Sequence, residues 1–142
     1  MGSQKDVTYR LELARGFLEE AEEECTLKRW RACVSSSTLA IENAGLAVLM
    51  LFGVSPMTHK PGRHLSQLVS EGTVPEAVVR LIGDILPELE RYDSTMKMLA
   101  KYGDESELIL PWALFDLKKG EAAINAARKA VRVSSEISRL VG

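Results

Sequence analysis

Apolar side chains recur along this chain every three or four residues and almost nowhere every second one, so the pattern predicts helices and no sheet. A first helix is predicted over about Val7 to Leu27. Val7, Leu11, Ala14, Phe17 or Leu18, Ala21 and Cys25 share one side of it, and Asp6 is placed to cap it. Glu19, Glu20, Glu22, Glu23 and Glu24 occupy the remainder. Consecutive acids point in different directions around a helix and no histidine is near, so they read as a solvated face rather than a metal site. A second helix is predicted over about Lys28 to Phe52. Toward its end it is apolar around most of its circumference, which implies burial on several sides. Its first half is rich in small residues, among them Ala32, Cys33, Ser37, Ala40, Ala44 and Gly45. These let another helix approach closely, either from the same chain or as the same helix of a second subunit. Gly53 is the expected C-cap.

The third apolar pattern begins with a short turn at His64–Ser70, breaks at Glu71–Gly72 and restarts near Pro75. Val78, Ile82, Ile85, Leu86, Leu89, Tyr92, Met96 and Leu99 then form one stripe to about Ala100, with Pro87 expected to kink it. Residues Lys101–Pro111 read as a loop, and a fourth helix is predicted over about Trp112 to Leu140, with a slim edge of Ala122, Ala123, Ala126, Ala127 and Ala130. The predicted fold is all-α: an antiparallel up-down bundle of four main helices plus a short helix, covering residues 1–142 as one domain.

Composition refines this picture in three places. Only 6% of residues are aromatic, so the core must be mainly aliphatic. The formal net charge of -2 predicts no general attraction to nucleic acid or to an anionic membrane, although residues 118–139 hold six bases against two acids. That basic helix either pairs with the acidic first helix, faces water, or forms a weak nucleic-acid stripe. Cys25 and Cys33 are the only cysteines; lying eight apart, with no secretory leader, they predict reduced thiols in a cytoplasmic protein. The hydroxyl-rich run Val34–Thr38 predicts no transmembrane span.

Several motifs fall in a fixed order. Ala40-x-Glu42-x-Ala44 lies in the second helix, followed by Gly53-x-x-Pro56, His64-Leu65-x-x-Leu68, Lys101-Tyr102-Gly103-Asp104 and Ala123-x-x-Ala126-Ala127. In this order they resemble the HEPN family (higher eukaryotes and prokaryotes nucleotide-binding domain) over nearly the whole chain. The chain departs from the family pattern at Asn43, where a lysine is usual, and at Ser37, Thr38 and Leu39, where glutamines are common. Ribonuclease members carry an arginine four to six residues before a histidine. No arginine has that spacing to His59 or His64. Such cleavage needs a base for the ribose hydroxyl and a cation for the developing phosphate charge. The resemblance therefore implies the non-nucleolytic branch: small homodimeric proteins, often paired with a minimal nucleotidyltransferase in a toxin–antitoxin-like pair, that bind a nucleotide.

His59, Lys60, Arg63 and His64 form the sharpest local constellation, a basic loop leading into a helix N-terminus, where free N–H groups favour anions. They are candidate ligands for a nucleotide or phosphate; the alternative is a solvated loop whose His64 caps or packs against the second helix. Glu42, Lys101 and Tyr102 join the candidate set through the matched motifs. Glu42 either lines a groove or pairs with a buried cation such as Arg31 or Lys101, because a lone buried carboxylate is costly. Tyr92 and Tyr102 read as core or groove-edge rings. Lys28, Arg29, Trp30 and Arg31 read as a helix start with Trp30 in the core, or as an RNA contact by stacking and charge. The two histidines are five apart with no cysteine or acid close in sequence, so no metal or other cofactor is expected. Two rival functions stand beside the binding module: a metal-independent ribonuclease using His59 or His64 as base, and a structural adaptor that assembles through the second helix. A dimer would form through the second or the fourth helix.

Overall fold

The computed structural model describes residues 4–142. Helix α1 spans Gln4–Thr26 and α2 spans Trp30–Leu51. Val7, Leu11, Ala14 and Ala21 are the buried positions of α1, the helical spacing that the sequence showed. Asp6 lies inside the first turn rather than capping it, where a carboxylate meets the positive end of the helix dipole. At the far end of α2 the Gly53 N–H donates to the Met50 carbonyl and the Val54 N–H to that of Leu49, each at 3.0 Å. Gly53 has φ 78°, so the helix closes in a Schellman motif that glycine adopts without steric cost.

Three short helices follow: α3 (Pro61–Ser70), α4 (Glu76–Arg91) and α5 (Ser94–Tyr102). Two expectations are corrected here. The short helix starts at Pro61 rather than His64, because proline's fixed φ suits the first helical position. The predicted long third helix is two helices, and the break falls at Tyr92–Asp93 while Pro87 lies within α4. Asp93 explains the break: its Oδ1 accepts the Thr95 N–H at 2.8 Å and starts α5 as an N-cap.

A four-residue helix α6 (Pro111–Leu114) leads into α7 (Leu117–Val141). The predicted start at Trp112 is therefore also corrected. Phe115 and Asp116 are extended, and Asp116 caps α7 by accepting the Lys119 N–H at 2.9 Å.

Cross-links between elements fix the directions of the helices. Glu22 meets Arg128 and Arg15 donates to Ser135, so α1 runs antiparallel to α7. Trp30 packs on Gly120, and Cys33 lies against the Gly120 carbonyl at 3.6 Å, so α2 runs parallel to α7. This is the antiparallel up-down bundle predicted, with α2 at its centre. Ile41, Ala44, Val48 and Leu49 of α2 are fully buried together with Ile82, Ile85, Ala127 and Ile137. The small residues of α2 thus seat helices of the same chain. A Cβ on Gly45 would stand 2.7 Å from Leu89 Cδ2 and 2.9 Å from Pro61 Cγ, so this glycine admits both α3 and α4. By length and composition α2 is apolar enough to cross a membrane, and 72% of its apolar window is buried within the bundle. That central position accounts for its composition. Cys33 is fully buried, and desolvation, with Cys25 alongside, pushes its thiol up to about 12. It stays protonated and acts as a small apolar side chain.

Candidate functional site

Glu42 projects from the middle of α2 with its side chain only 11% exposed. Its Oε1 lies 3.3 Å from Lys97 Nζ on α5, and its Oε2 lies 3.2 Å from His59 Nδ1 in the α2–α3 connection. Both carboxylate oxygens are engaged, which is what a buried charge requires. The expected partners, Arg31 and Lys101, are not used. Arg31 lies eleven residues, or about 16 Å of helix, from Glu42. It donates to the Ala100 carbonyl at 2.9 Å and stacks 5.7 Å from the Trp112 centroid. Lys101 sits over the Tyr102 ring at 5.3 Å, and both residues are exposed. His59 meets the carboxylate through Nδ1, and its side chain is 71% exposed.

Lys60 is the residue before α3. Its N–H donates to Thr58 Oγ1 at 3.0 Å and its Nζ lies 3.7 Å from Asp93 Oδ2. Asp93 therefore caps α5 with one oxygen and holds the α3 entrance with the other. Lys60, Arg63, Ser66, Glu90 and Asp93 line a cleft of about 330 Å³. Arg63 is exposed and meets no acid among the described residues. Gly62 turns inward instead of toward solvent: a Cβ there would sit 3.2 Å from Leu89 Cβ, so its small size serves the packing of α3 on α4. His64 is half-buried one turn into α3, past the free N–H groups, and its ring makes no hydrogen bond among the described residues.

The seven candidate residues thus divide into three groups, with His64 standing apart. Glu42 and His59 bond directly. Lys60 and Arg63 follow on the adjoining loop and share a cleft. Lys101 and Tyr102 pair with each other at the end of α5. Sequence reading missed Lys97, which completes the Glu42 group, and Asp93, which neutralises Lys60. Lys97 stands between Met96 and Met98 on an apolar-striped helix, and only the packing of α5 on α2 brings it to Glu42. Asp93, followed by Ser94 and Thr95, carries a legible capping signal.

A further polar device lies at Asn43, which is 4% exposed. Its Oδ1 accepts from Arg10 Nη1 at 2.9 Å, and its Nδ2 donates to the Leu39 carbonyl at 2.9 Å. The Lys28–Arg31 cluster lies at the other end of α2, with Trp30 partly buried against Gly120. Among the described residues no group of three His, Cys, Asp or Glu side chains is arranged to hold a metal ion.

Against this geometry stand the comparisons with known proteins. A family model described as the HEPN domain matches residues 7–137. The crystal structure of TT1696 from Thermus thermophilus is similar with a TM-score of 0.69 and 21% identity, covering 92% of this chain and 96% of that chain. At that identity the likeness concerns the fold. No protein of curated function matches the sequence.

Proposed function

Because the chain belongs to the HEPN domain family, we propose that it works as a non-catalytic helical module, homodimeric, that binds a nucleotide and partners a minimal nucleotidyltransferase in a toxin–antitoxin-like pair. One observation carries the ligand part of this reading. The buried Glu42 carboxylate, at the matched motif position, bonds His59 and Lys97, and on the adjoining loop Arg63 makes no ion pair among the described residues in a cleft that Glu90 and Asp93 also line. Arginine's planar fork suits phosphate oxygens, and Arg63 is exposed in the first turn of α3, two residues after its start. Lys60 contributes less charge, since Asp93 offsets it. A homodimer meets through the outer face of α7 in this reading, because α1 and α7 enclose α2.

The test is thermal stability against mononucleotides and short RNAs, run beside Arg63→Ala and His59→Ala. A ligand present at a hundred times its Kd adds about 2.7 kcal/mol to the folded state. The expected result is a raised melting temperature with at least one nucleotide, lost in Arg63→Ala and reduced in His59→Ala. No shift with any nucleotide overturns the binding part, and a monomer by light scattering overturns the dimer.

The His59–Glu42 bond also favours a second reading, a metal-independent ribonuclease. A carboxylate that orients imidazole through Nδ1 leaves Nε2 poised as a general base. On that reading RNA is cleaved in the presence of a chelator, and cleavage is abolished in His59→Ala. Equal cleavage by the wild type and His59→Ala rules it out.

A further inference from the structure

Residues Leu108, Leu110 and Trp112 are 88%, 65% and 71% exposed, although they lie in an ordered part of the chain. Asp104 and Ile109 exchange two backbone hydrogen bonds of 2.9 Å. Asp104 Oδ1 also accepts from the Ser106 hydroxyl at 2.8 Å and from the Glu107 N–H at 3.1 Å. Leu108 itself has φ 57°, a left-handed conformation unfavourable for leucine. The turn therefore holds a strained leucine with its side chain in water, where it contributes nothing to the bundle's core. Exposed Tyr102 and Leu117 flank it in sequence. Apolar exposure concentrated in one segment marks an interaction surface.

Charge defines the occupant. Trp112 and Phe115 form part of a groove of about 500 Å³ whose cations are Lys28, Arg29 and Arg31. Glu24, the one acid lining it among the described residues, lies 3.9 Å from Arg29. Glu105 and Glu107, on the turn that carries Leu108, are exposed acids. The exposed apolar segment thus has acids on its turn and reaches a basic groove at Trp112. A nucleic-acid strand is negative throughout and is repelled at the turn, whereas a polypeptide segment can carry both signs. We propose that residues 108–112 dock an amphipathic segment of a partner protein. Its apolar row covers Leu108, Leu110 and Trp112, its acidic end enters the Lys28–Arg31 groove, and its basic end faces Glu105 and Glu107.

The test uses the full chain and fluorescein-labelled helical peptides of about five turns, roughly 18 residues. One has leucines at every third or fourth position, glutamates at one end and lysines at the other. A second has the same composition scrambled, and an oligouridine serves as the anionic probe. Two double variants, Leu108→Ser/Trp112→Ser and Lys28→Glu/Arg29→Glu, change exposed side chains, and their melting temperatures check the fold. The expected result is at least tenfold tighter binding of the dipolar peptide than of the scrambled one, and at least a tenfold loss in each variant. Equal binding of the two peptides, unchanged affinity in the variants, or preference for oligouridine overturns the proposal. So does wild-type self-association that Leu108→Ser/Trp112→Ser abolishes, which makes the occupant a second copy.

Discussion

Alanine at position 103 is expected to lower the unfolding free energy by about 3 kcal/mol or more, as the sum of backbone strain and lost hydrogen bonds. Gly103 has φ 75° and ψ -161°, a region open essentially to glycine alone. Forcing an alanine there costs about 1–3 kcal/mol in strain. A Cβ would also collide with the Ile109 carbonyl oxygen and stand 2.8 Å from Pro111 N. These are backbone atoms, which cannot swing aside as a side-chain tip can. Relieving the collision separates Asp104 from Ile109 and gives up two hydrogen bonds worth about 1 kcal/mol each. Urea unfolding measures the loss; a change below about 1 kcal/mol would mean that the turn relaxes freely, contrary to this account.

Acid titration supplies a signature specific to the turn. The Ser106 hydroxyl, then the Glu107 N–H, hold the Asp104 carboxyl below its ordinary 3.8. A depressed carboxylate adds stability that is full above the unfolded value and is lost as pH falls through the folded one. Ser106→Ala, which removes the first of these bonds, should therefore flatten the stability profile below pH 3.8, where wild type still declines.

The second large effect is expected at Asn43. The family pattern places a lysine there, yet Asn43→Lys should destabilise this chain by about 3–5 kcal/mol, the scale for a buried unpaired charge. The side chain is buried, and its amide oxygen is the acceptor that Arg10 uses. An ammonium group there removes the acceptor and sets two positive charges against each other. Adding Arg10→Glu supplies an opposite charge across the same α1–α2 contact, so the double variant should recover more than half of the loss. A double-mutant cycle by chemical unfolding checks this. Additive effects of the two substitutions would show that Arg10 and Asn43 are not coupled.

The parts of the fold that were legible in the sequence are those governed by local chemistry. The apolar stripes of α1 and α2, the Gly53 cap and the restart at Pro75 depend on spacing and on backbone preference at single residues. The boundaries that went astray, Tyr92–Asp93 and Phe115–Asp116, carry capping aspartates, but a continuous apolar stripe ran across the first and the helix predicted from Trp112 ran across the second. In the bundle Tyr92 and Phe115 are buried at the bends, so the stripe continues while the helix does not. The candidate site was legible in part. Glu42 and His59 stood out as a buried-looking acid and a rare histidine. Lys97 lies 55 residues from Glu42, and no local pattern links them. The exclusion of Arg31 likewise follows from helix length, which places it at the start of α2, eleven residues from Glu42. The family resemblance, read from motif order, agrees with the family model that matches residues 7–137.

The central position of α2 has a consequence for how the chain is made. Its cover comes from α1, which the ribosome delivers before it, and from α7, which is delivered many residues later. At about 5–20 residues per second, α2 waits several seconds with the α7-facing half of its surface in water. During that wait it is a 22-residue segment with the length and hydropathy of a membrane span. Its hydroxyl-bearing run at Ser35, Ser36, Ser37 and Thr38 lowers the hydropathy of the first half. The same residues that seat neighbouring helices in the finished bundle therefore lower the hazard of mistargeting and premature association while the nascent chain is incomplete.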